Sequence, residues 1–132
     1  MRTKPCLTST DAKQMLAACI AEAVKNDWEV TVAVADDAGV LLALERMDGA
    51  PAISATVAPE KARASALTKQ PTKFWEDRVK ERPAFVNFPA GSLIQGAVPV
   101  IYDGECVGAI GVSGVQSHED EQIASAGAKA LG

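Results

Sequence analysis

The stretch Val98–Ser113, VPVIYDGECVGAIGVS, decides the fold class. Val98, Val100 and Ile101 lead into Asp103-Gly104, and a second β-rich run leaves it. Asp-Gly between two such runs marks a two-residue hairpin turn, whose central positions need positive φ. Gly108, Gly111 and Gly114 follow at intervals of three, not as the G-x-G-x-x-G of a dinucleotide site. They are read as points of close backbone approach. Ser113-Gly114, at the end of the strand, can present backbone N–H groups to a ligand.

Upstream, Glu29–Asp36 alternates Val30, Val32 and Val34 with the smaller Ala33 and Ala35. Both sets are apolar, so this strand is expected to be covered on both faces, with a helix close against the small side. Asp37-Ala38-Gly39 forms the turn into a second strand, Val40–Met47. Five helical segments complete the chain. Thr8–Lys25 opens with a capping box from Thr8 and Asp11 and buries Met15, Leu16, Cys19, Ile20 and Ala23. Ile53–Ala58 reads as a short piece, with Pro59 opening a separate helix to Lys69. Pro71–Lys80 is a charged helix, and Glu81–Gln95 a long loop of the kind that is often functional. Ser117 is expected to cap a last helix, with Glu119, Asp120 and Glu121 in its first turn. The order helix, hairpin, helices, hairpin, helix argues for an α+β fold in the broad α/β class, an antiparallel sheet with helices packed on it.

The 132 residues are 48% hydrophobic, which suits one domain spanning 1–132. The net charge of −4, with no basic stripe, argues against nucleic acid as a partner. No apolar stretch is long enough to cross a bilayer, and MRTKPCLTST lacks the core of a secretion signal. Cys6, Cys19 and Cys106 are odd in number and in no CxxC spacing. They read as reduced thiols of a cytoplasmic protein, with no metal site expected.

Arg46-Met-Asp48-Gly-Ala-Pro51 places a fork-shaped cation and a carboxylate at a strand end. Arg46 continues the face of Val40, Leu42 and Leu44, so it must meet an anion, either Asp48 or a ligand carboxylate, or reach water. Lys61 and Arg63 lie on different faces of one helix, so at most one points inward. His118 is the sole histidine, which excludes a conventional zinc site but leaves a single axial haem ligand open. The ligand-binding candidates are therefore Arg46, Asp48, Lys61, Ser113 and Gly114. The candidates for proton transfer are Asp48, His118, Glu119 and Asp120.

RMDGAP, EKAR, GAVPVIYDGECVGAIGVSG and SHEDEQIASAGAKAL resemble, in order and spacing, the GlcG/HbpS-like family, which includes the C-terminal domain of PduO-type corrinoid adenosyltransferases. The resemblance implies a profilin-like fold with a five-stranded antiparallel sheet between helix layers. It also implies a homo-oligomer, a small-molecule ligand such as haem, a corrinoid or an organic acid, and a place in glycolate, diol or aromatic breakdown. This chain departs from the family pattern in having Gly96-Ala97 where relatives often show Gly-Gly, and in having no histidine in its first helix. Three functions remain in competition: a ligand-binding protein, an enzyme acting on a small carboxylate or carbonyl metabolite, and a structural assembly module.

Overall fold

Helix α1 (Ser9–Lys25) begins where the capping box predicts. The Thr8 hydroxyl accepts from the Asp11 N–H at 3.1 Å, and the Asp11 carboxylate accepts from the Thr8 N–H at 2.8 Å. These bonds hold the Asp11 carboxyl below the usual range. The computed structural model describes residues 1–131, and its sheet has four strands: β1 (Thr31–Asp36), β2 (Leu41–Arg46), β3 (Ala97–Tyr102) and β4 (Glu105–Ser113). Their order is β2-β1-β4-β3, antiparallel at every pairing. Among the described residues this corrects the expected five strands to four. The segment before β3 carries Pro89 and the positive-φ Gly91 and Gly96 and forms no strand, although the Gly96 carbonyl accepts from the Val112 N–H of β4 at 3.0 Å.

Strand β1 is buried on both faces, as its composition requires. Val32 and Val34 face Met15, Cys19, Ile110, Val112 and Ile123 in the main core. Ala33 and Ala35 face Ala58 and Ala62 of α2 (Ser54–Thr68). Gly111, opposite Ala33, extends this bed of small residues: a Cβ there would lie 2.2 Å from the Ala58 carbonyl oxygen. Helix α2 can therefore ride directly on the sheet. It is one helix and not the two segments expected, with Pro59 inside it. Proline at that position forfeits a single bond to the Ala55 carbonyl, and packing on the sheet outweighs the loss.

Helices α1 and α4 (Ser117–Ala128) cover the other face. The cap of α4 is Gln116 rather than Ser117, and its N–H donates to the Glu119 carboxylate at 3.1 Å. Gly127 lets the two helices close onto Cys19, whose thiol is pushed up to about 12 by burial. Both hairpin turns have the predicted backbone, with positive φ at Gly39, Asp103 and Gly104. No described helix is long and apolar enough to cross a membrane.

One pattern on β2 needed correction. The pairing shifts between Val34 and Ala35, so strict alternation fails there. Leu42 packs on the main core, while Leu41 and Leu44 lie opposite Ala35 and Ala33 on the α2 side and stay exposed with Val40. Between α2 and β3 the chain makes an excursion: α3 (Thr72–Glu81) and a 3₁₀ turn (Pro83–Asn87) that pack chiefly on each other.

Candidate functional site

Two of the residues singled out from the sequence meet in the interior. Lys61 on α2 points across the end of β4 to Asp120 in the first turn of α4, with Nζ 3.3 Å from Oδ2. Both side chains are only 3% exposed. Lys61 also donates to the Val112 carbonyl at 3.0 Å, and Asp120 Oδ1 accepts from the Val115 N–H at 3.1 Å. The pair ties α2, the end of β4 and the start of α4 to one point. Burial pushes the Asp120 carboxyl up to about 6, against the opposing pull of Lys61 and the Val115 N–H. A carboxyl in that range changes charge near neutrality, as a general acid or base must. Arg63 points outward, as helical spacing predicts.

The loop before β3 closes over this pair. Gly96 has φ +141, and a Cβ there would lie 2.6 Å from Lys61 Nζ and 2.8 Å from the Val112 oxygen. Ala97 is fully buried, and its N–H donates to the Thr72 hydroxyl at 3.0 Å. The departure from Gly-Gly therefore falls on a position that accepts a methyl group, while the glycine facing the ammonium is kept.

The other candidates do not join the pair. Arg46 stands exposed at the end of β2, and both Nε and Nη2 donate to the Ala50 carbonyl, at 3.2 and 2.9 Å. Its fork closes the turn that contains Asp48 and makes no ion pair with Asp48 among the described residues. Ser113 and Arg46 flank Thr31 on neighbouring strands, and the Thr31 hydroxyl is bonded to Ser54 at 2.8 Å. Gly114 uses its positive φ to pass Glu29 and Val30, where a Cβ would lie 2.8 Å from the Glu29 oxygen. His118 is exposed, and Glu119 is committed to its own helix cap.

The sequence reading gave no role to a slot at the other end of the sheet. A cavity of about 350 Å³ lies between the N-terminal segment and the β3–β4 hairpin. Leu7, Val107 and Leu131 give it apolar walls, and Cys6, Asp11 and Tyr102 bring polar groups to it. Cys6 was legible only as one thiol among three and Tyr102 only as a strand residue, because nothing in their spacing announces that the fold brings them together.

The family model described as haem degrading protein HbpS-like matches residues 7–129. The chain belongs to the HbpS-like family. Protein GlcG of Escherichia coli strain K12 is 47% identical over 114 residues, 86% of this chain and 85% of that one. HbpS of Streptomyces reticuli, crystallised as a double mutant, matches with TM-score 0.93 and 34% identity over 100% of this chain and 91% of that one. The PduOC:heme complex shares the HbpS-like fold at TM-score 0.88 and 24% identity, over 96% of each chain.

Proposed function

We propose that this chain is a small-ligand-binding protein and that its ligand is haem, held in the slot between the N-terminal segment and the β3–β4 hairpin. The observation that carries the reading is the pairing of Cys6 and Tyr102 on one cavity with Leu7, Val107 and Leu131. Thiolate and phenolate are both protein ligands of haem iron, and apolar walls suit the tetrapyrrole edge. The residues present therefore fit the group through Cys6 or Tyr102. His118 lies outside this cavity, and the reading does not use it. Membership of a family described by haem degradation supports the reading, and the PduOC:heme complex is an instance of the same fold with haem. Bound haem supplies redox chemistry. The chain supplies an iron ligand, apolar walls from Leu7, Val107 and Leu131, and a carboxylate at Asp11 beside the slot.

A thermal-melt screen with haemin, cobalamin, glycolate and benzoate tests this. Ligand at about 100 times its Kd stabilises the folded state by about 2.7 kcal/mol, so haemin should raise the melting temperature most. A shift with cobalamin and none with haemin would replace haem by a corrinoid. No shift with any compound would leave the assembly-module reading.

The enzyme reading rests on a separate observation, the buried Lys61–Asp120 pair with its carboxyl near 6. In that reading Asp120 exchanges a proton with a small carboxylate or carbonyl substrate, and Lys61 holds the charge that develops. Turnover of such a metabolite, lost in Asp120→Asn and retained in Cys6→Ser, would favour it over ligand storage.

A cytoplasmic homo-oligomer completes the proposal. Strand β2 is a sheet edge dressed with exposed Val40, Leu41 and Leu44, and an apolar edge is a natural pairing surface.

A further inference from the structure

Four of the six aromatic residues of the chain fall in the excursion between α2 and β3: Phe74 and Trp75 on α3, Phe85 in the 3₁₀ turn and Phe88 just after it. None of them belongs to the buried core, which contains no aromatic ring. They build a cluster of their own: Trp75 lies 4.9 Å from Phe88 and 5.4 Å from Phe85, centroid to centroid, and Phe85 meets Phe88 edge-on at 5.9 Å. Arg78 and Arg82 both lie over Phe85, with Cζ 5.3 and 5.4 Å from the ring centroid. Among the described residues neither guanidinium has a carboxylate partner, although five other cations form ion pairs: Lys4, Lys61, Arg63, Lys73 and Lys80. A cavity of about 290 Å³ opens beside them, lined by Arg82, Phe85 and Phe88 with Ala84, Asn87 and Pro89.

We propose that this arm is a second binding site, for a small aromatic carboxylate. A guanidinium set over the Phe85 ring can still present its N–H fork, the geometry that grips a carboxylate in bidentate fashion. Phe85 and Phe88 offer ring faces and edges to an aromatic ligand, which prefers offset or edge-on contact at such separations. The cavity is at the small end of ligand pockets, which suits one or two fused rings. The arm shares no lining residue with the Cys6–Tyr102 slot, so the proposal stands apart from the haem reading.

Trp75 makes the site self-reporting. Titration of the full chain with 2-naphthoate should give a saturable change in tryptophan fluorescence, absent in Trp75→Phe, which keeps Trp28. Arg82→Gln should weaken binding at least tenfold with an unchanged melting temperature. The neutral analogue 2-naphthalenemethanol should likewise bind at least tenfold more weakly than the acid. Arg82→Lys, which keeps the charge without the fork, gives a second reading if Arg82→Gln folds poorly, and should also bind more weakly. Cys6→Ser should bind naphthoate as the parent does. Absence of a saturable signal, or an affinity indifferent both to Arg82 and to the charge of the ligand, would overturn the proposal.

Discussion

The backbone of Gly96 lies against the ammonium of Lys61, so that even a methyl group on this glycine would meet Nζ at 2.6 Å. The contact places the loop before β3 directly over a buried ion pair. Gly96→Ala should be destabilising by roughly 1–3 kcal/mol, since it adds the clash to a backbone conformation that L-residues rarely adopt. Urea denaturation checks it, and a change below about 0.5 kcal/mol would mean the loop relaxes freely.

Lys61→Met leaves Asp120 buried without its partner, whereas the double variant Lys61→Met/Asp120→Leu removes both charges. Breaking a buried pair costs about 3–5 kcal/mol, while apolar replacement of both partners is often neutral or stabilising. The double variant should therefore be more stable than Lys61→Met alone. Equal stabilities in a denaturant cycle would show that the pair is not coupled.

The pH dependence has a definite sign. Burial raises the Asp120 carboxyl from 3.8 to about 6, so between those values the folded chain binds more protons than the unfolded one. The stabilising contribution is fully present below about pH 4 and is lost as pH rises through 6, by at most roughly 3 kcal/mol. Asp11, Glu22 and Asp77 are lowered and act in the opposite direction. The comparison that isolates Asp120 is the parent against Asp120→Asn: their stability difference should shift against the parent from pH 4 to pH 6. A constant difference across that range would refute the assignment.

Leu41→Glu/Leu44→Glu should dissociate the proposed homo-oligomer without unfolding the subunit, because both side chains are already exposed on the β2 edge. Light scattering should return a multiple of 13.7 kDa for the parent and the monomer mass for the variant. A monomeric parent would remove the oligomer from the account.

The fold was legible where local chemistry is self-sufficient. The capping box, the two hairpin turns and the small face of β1 each state their own requirement in a few residues. Reading failed where distant packing decides. Pro59 signals a break, yet the bed of Ala33, Ala35 and Gly111 holds α2 straight through it as one helix. The bulge in β2 depends on its pairing with β1, so the face assigned to Arg46 with Leu42 and Leu44 could not be known from alternation alone. Lys61 and Asp120 were both named from sequence, but their contact joins residues 59 positions apart and follows from the topology. Cys6 and Tyr102, far apart in the chain, were missed as a pair for the same reason.

Haemin titration by absorption spectroscopy tests haem binding in the Cys6–Tyr102 slot. Haemin should form a stoichiometric complex with a shifted Soret band that survives gel filtration. The affinity should fall at least tenfold in Cys6→Ser/Tyr102→Phe and stay unchanged in His118→Ala. A complex lost in His118→Ala but intact in the double variant, or no complex at all, would contradict it.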